Sequence, residues 1–382
     1  MNIIIDSDGF FWPPDIESTY MRKQRKLISF ENEEEKLNDL FEQYYLGFRS
    51  AMFICEDTIK NESEAEKALL KYREGCIHSA MAYMKNHIES RSPLPVDFMW
   101  IVREAIVNEL KREFPKVEKI KLRLSMKPRL SARTVGQNII IFPALTRTIL
   151  IHCNLVIINS IYDVTNGDGQ LVGDIDPKQN AQNARFIFPY LLYCHDEFSV
   201  RNLPIIGARS QSTIETALQF TNLQLIFIFA HEYAHILLKH FDDSKDYVVK
   251  ENEADSFALK VVLAYVEKDS SYSKHDVLAS IRWLFKYQLI EERIGELAQG
   301  KAVKDFESNF EERRSKFQSE LFSSTGLNGS TLFESIGFWM IVELQSILYE
   351  MGLDLINYMI EIFHKSEKTG GIEPWWEKIT KN

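Results

Sequence analysis

The stretch "IFIFAHEYAHILLKHF", residues 226–241, decides how this chain is read, because it sets three histidines and a glutamate in an otherwise apolar helical run. An unpaired polar side chain taken out of water costs about 2–7 kcal/mol, so a core helix carrying four such groups must compensate them. His231 and His235 are four residues apart, which puts both rings on one helix face, within reach of a single ion. Glu232 lies inside the resulting HExxH pattern, where its carboxylate points to the open side of the ion and can take a proton from a bound water. Zinc brings the pKa of such a water toward neutrality and polarises the carbonyl under attack. The spacing therefore predicts one zinc ion per chain, with Glu232 as general base and then as proton donor to a leaving amine.

A catalytic zinc needs a third protein ligand and an open fourth place. The next helical segment opens with "ENEADSFA", residues 251–258, in which Glu251 and Asp255 are again four apart. One of these carboxylates can bind metal while the other accepts a hydrogen bond from the far nitrogen of a ligand histidine. The break at "DDSKD" is short enough to fold the two helices antiparallel and return Glu251 beside His235. Glu253 is the rival third ligand; the spacing to Asp255 favours Glu251. His240, five residues beyond His235, is rotated off the ligand face and reads as a helix-end histidine. For the oxyanion, His195, Tyr193, His275, Arg282 and His364 are candidates that no spacing separates.

Outward from this core the pattern changes twice. Charged, helix-periodic sequence fills residues 1–114. Alternation at "VEKIKLRLSM" and a β-branched run at "GQNIIIFP" then mark a small sheet between about Val117 and Phe142, the second strand being the expected edge. Such an edge can take an extended peptide as an added strand. An apolar helix from about Ala144 to Val164 follows, and helical patterns dominate residues 269–382. The expected architecture is α+β, predominantly α: an N-terminal helical region (1–114), a zincin-like core (115–268) and a C-terminal helical region (269–382).

Composition narrows the function. The net charge of -10 and pI near 5.5 oppose binding to nucleic acid or anionic membrane. The short basic stretches "MRKQRK" (21–26) and "EERRSKF" (311–317) read as solvated helix faces or loops. The glycine- and aspartate-rich segment 166–180 lacks the alternating ligands and closing glutamate of a calcium loop. Four scattered cysteines form no CxxC pair, the N-terminus carries no export signal, and the apolar runs fall short of a membrane span. A soluble cytoplasmic protein acting on a protein or peptide is expected.

With "HEYAHILLKH" followed by "ENEADSFALKVV", the sequence resembles the gluzincin metallopeptidases, and within them those whose third-ligand motif reads ExxAD: the CAAX-prenyl-protease, ImmA/IrrE and phage-exclusion Lit-type peptidases. The resemblance spans about residues 223–266. It implies His231, His235 and Glu251 as zinc ligands and Glu232 as the catalytic residue. It also implies a specific intracellular protein substrate, as in phage defence. The rival reading is a catalytically restrained zincin scaffold whose helical flanks hold a regulatory partner, since the motif itself does not call for the helices after Val266.

Overall fold

The computed structural model describes residues 4–5, 10–12, 53–90, 97–125, 129–143, 145–165, 184–195, 203, 206–241, 244–298 and 306–369. The segment 166–180, the basic stretch 21–26 and the C-terminal "EPWWEK" lie outside the described residues. The elements run β1 (Ile4–Ile5), β2 (Phe10–Trp12), α1 (Glu62–Ser90), α2 (Asp97–Leu110), β3 (Lys121–Ser125), β4 (Arg133–Val135) and β5 (Ile139–Pro143). Among the described residues helices then follow: α3 (Thr146–Thr165), α4 (Ile187–Leu192), α5 (Gln211–Leu237), α6 (Tyr247–Val266), α7 (Lys274–Ala298), α8 (Phe306–Thr325), α9 (Leu332–Met351) and α10 (Leu353–Thr369). The protein is α+β and predominantly α.

Helix α5 is the axis of the fold. It starts at a capping box: Ser210 accepts a hydrogen bond from the Thr213 amide, and the Thr213 hydroxyl accepts one from the Ser210 amide. From Leu223 to Ala234 every residue of α5 is buried, so the helix has no solvent stripe, and α2, α3, α6 and α7 pack around it. One polar knot sits in this core. Asn154 of α3 and Gln224 of α5 exchange amide hydrogen bonds of 2.8 and 3.2 Å, and Gln224 also donates to the Ser280 carbonyl of α7 at 2.9 Å. Each buried amide is thereby satisfied by another helix, which fixes the register of all three.

The sheet has the order β1-β2-β3-β5-β4, with β3 and β5 parallel and the other neighbours antiparallel. The run Ile139–Pro143 is therefore an interior strand, not the edge. The edge beside it is β4, a three-residue strand that the sequence hides in a connection, because a turn at Gly136 (φ +61°) folds it back on β5. Phe142 of β5 stacks on Phe229 of α5 with ring centroids 4.1 Å apart, pinning the sheet to the central helix and bringing β4 alongside it.

Helix α9 spans 20 residues, longer than its apolar run suggests, and has the length and composition to cross a membrane. Within its most apolar window 44% of the residues are buried, and the helix packs on α3 and α7.

Candidate metal and active site

Both halves of the sequence motif arrive at one place. The Nε2 atoms of His231 and His235 face each other at 3.0 Å, and the Glu251 carboxylate reaches them at 3.3 and 3.5 Å. Two imidazole nitrogens and a carboxylate oxygen thus lie within 4.8 Å of one another, a donor set suited to zinc. Burial works against charge on His231, yet the carboxylates of Asp255 and Glu251 outweigh it and push the ring up to about 10. His235, buried beside that charged ring, is pulled down to about 4. The surroundings therefore call for one positive charge between these groups, as a bound cation would supply. The residues fit the metal that the sequence implies.

Each histidine of the donor set is held from behind. His231 donates from Nδ1 to Asp255 at 2.9 Å, and Arg313 of α8 grips Asp255 with two hydrogen bonds of 2.8 and 2.9 Å. A third contact, at 3.2 Å, runs from Arg313 to Glu251. His235 faces His240 through paired Nδ1 atoms at 2.8 Å, and His240 in turn contacts Glu253 at 3.2 Å. Helix α5 ends just before this second pair. Lys239 adopts the left-handed conformation (φ 57°), and the His240 amide bonds the His235 carbonyl at 3.0 Å, so the reversal swings His240 back under His235. His240 is indeed no member of the 4.8 Å donor set, but it serves that set directly. Glu253 points outward to His240 and to Lys245 at 2.9 Å, away from the place where Glu251 lies.

Glu232 is held from the sheet. The Thr134 hydroxyl of β4 donates to the Glu232 carboxylate at 2.6 Å. Burial raises the Glu232 carboxyl above the usual carboxylate range, with Thr134 and His231 opposing. A base whose pKa rises toward the working pH is better matched to proton transfer than an ordinary glutamate. His231, Glu232, His235 and Glu251 open on a cavity of about 520 Å³. One wall is the segment Arg129–Thr134 with the edge strand, and the other comes from α7 and α8.

Of the oxyanion candidates whose side chains are described, His195 lines the cavity; the His364 side chain lies outside the described residues. The Nε2 atom of His195 is buried, facing Glu291 at 3.6 Å. Arg282 is paired with buried Glu334 and stacks over Phe338, away from the cavity. Sequence reasoning missed Thr134, Tyr247, Glu291, Glu292 and Arg313, all of which line the cavity. Tyr247 alone had a readable signal, since it stands one helical turn before Glu251. Arg313 belongs to "EERRSKF", of which Glu312, Ser315 and Lys316 are exposed on the helix as a solvated face requires, while the Arg313 guanidinium is largely buried against Asp255.

Residues 203–298, a quarter of the chain, match the sequence profile of the family Peptidase U49. The matched span contains α5, α6 and α7 with the whole donor set, while Thr134 and Arg313 fall outside it. The match indicates a peptidase, an enzyme acting on protein or peptide substrates. No curated protein and no solved structure matches the chain.

Proposed function

We propose that the protein is a zinc-dependent endopeptidase, with His231, His235 and Glu251 as the metal ligands and Glu232 as the catalytic base. The observation that carries this reading is the convergence of the three donor groups, with Glu232 beside them on the same cavity and fixed by Thr134. Zinc held there supplies Lewis acidity, making a water more acidic and a peptide carbonyl more electrophilic. Glu232 receives the proton of the attacking water and passes it to the nitrogen of the departing amine. Asp255 keeps His231 in the tautomer whose Nε2 faces the metal position. As an outermost strand of the sheet among the described residues, β4 would take an extended peptide along its free side, beside Glu232. Tyr247, in the cavity wall, is a donor for a developing oxyanion. A specific protein as substrate, of the kind cut in phage defence, is the finer form of this proposal.

Elemental mass spectrometry of wild type, His235→Ala and Glu251→Ala tests the metal assignment: one zinc per wild-type chain is expected, weakened or lost in both variants. Wild-type protein that takes up no zinc even after reconstitution sinks the proposal. Glu232→Gln should retain zinc and lose peptide cleavage by about 10³-fold or more, since it removes the proton carrier. The rival reading of a restrained scaffold rests on the Arg313 contact to Glu251. Under it, zinc-loaded wild type would bind peptides and cleave none.

A further inference from the structure

The buried charged groups of the cavity wall are matched, with one exception; the exposed Arg133 lines the cavity as well. Arg313 is engaged by Asp255 and Glu251. Glu232 accepts the Thr134 hydroxyl. Glu291, deeply buried on α7, accepts the Leu130 amide at 3.4 Å and faces Arg129 and His195 at 3.8 and 3.6 Å. The exception is Glu292, the next residue of α7, which lines the same cavity with its Oε2 atom buried and without a hydrogen-bond partner. A carboxylate oxygen withdrawn from water normally has a donor, because leaving it unpaired forfeits its hydration with nothing in return.

The nearby cations do not meet this need. Burial raises the Glu292 carboxyl above its ordinary range, and Arg313 and Arg129 only oppose that rise from a distance while committed to other carboxylates. Glu296 and Glu251 add to the negative potential around it. What completes this part of the wall is a donor that brings its own positive charge, and the cavity that would admit it is the one holding Glu232 and the donor set.

We propose that Glu292 is a specificity-determining residue whose carboxylate receives a cationic group of the substrate peptide, either a lysine or arginine side chain or an N-terminal ammonium. This rests on the peptidase reading of the same cavity. The recognition is charge-assisted, and it selects among substrates without taking part in the proton transfers.

The test is a set of hexapeptide pools in which each position in turn carries lysine, arginine, norleucine, citrulline or aspartate, each pool made with free and with acetylated N-termini. Zinc-loaded wild type should favour the cationic member at one position by about tenfold in kcat/KM, a ratio equal to about 1.4 kcal/mol. Glu292→Gln should erase that preference, and Glu292→Lys should shift it toward aspartate. A preference lost on acetylation identifies the ammonium as the cation; one that survives identifies the side chain. Binding of the same pools to the Glu232→Gln protein is measured in parallel, with the Glu232→Gln, Glu292→Gln double variant beside it.

Cleavage by wild type with no cationic preference, or with one that Glu292→Gln retains, overturns the inference and leaves the peptidase reading standing. Absence of cleavage, together with a tenfold binding preference that the double variant loses, overturns the peptidase reading and upholds the subsite. Absence of both overturns both.

Discussion

His231 and His235 are interchangeable in the sequence pattern and unequal in the structure. Behind His231 stands a closed chain: Asp255 is buried, and Arg313 grips it with two hydrogen bonds. Behind His235 stands an open one: a second imidazole, then Glu253, whose side chain is 36% exposed, then Lys245, 45% exposed. The first arrangement sets a ligand in a fixed orientation and punishes the removal of any member. The second runs through a buried imidazole to an ion pair in contact with solvent, where water can replace the outer members. One ligand is thus anchored by the fold, the other by a surface turn.

Breaking the closed side should give the largest effect. Asp255→Ala leaves the Arg313 charge buried without its partner and is expected to lower stability by about 3–5 kcal/mol, with zinc affinity falling about 10–100-fold. Chemical denaturation and metal competition measure the two separately, and a loss below 1 kcal/mol would refute the asymmetry. The same pair predicts a pH response. Although burial opposes it, Arg313 and His231 hold the Asp255 carboxyl far below its ordinary value of 3.8. The unfolded chain therefore takes up this proton first, and the stability contributed by Asp255 is complete above that value and lost as pH falls below it. Asp255→Asn should show a flatter decline in acid unfolding below about pH 4.

His240→Ala comes next. It removes the group facing His235 but admits water, so zinc affinity is expected to drop about tenfold, with little change in global stability. Glu253→Gln should do least. It weakens a partly exposed ion pair with Lys245, for which a change below about 1 kcal/mol and near-normal zinc retention are expected. If Glu253→Gln proves as damaging as Asp255→Ala, the two sides are equal after all.

The HExxH face was legible because its cause is local: a four-residue spacing on one helix determines what shares a side. Glu251 was legible for a related reason, since a short break between two helices leaves little choice but an antiparallel return. Thr134, Glu292 and Arg313 were not. They reach the cavity from a strand 98 residues before Glu232, from the end face of α7, and from 58 residues beyond Asp255, and no periodicity records such meetings. Two local rules also pointed the wrong way. "NIIIF" looks like an edge strand and is interior, because the short β4 covers it, and "EERRSKF" looks solvated although Arg313 is paired inside. Both errors share an origin, for charge and strand length describe a segment before its neighbours are known.

The grip of Arg313 on Asp255 also has a bearing on how the protein is made. Asp255 is synthesised 58 residues ahead of Arg313, an interval of roughly 3–12 s at 5–20 residues per second. Until that arginine has been added, the helix pair bearing the complete motif lacks the cation that steadies its buried carboxylates. A nascent chain thus carries every residue of the HExxH and ExxAD segments before it can pair Asp255 as the folded protein does.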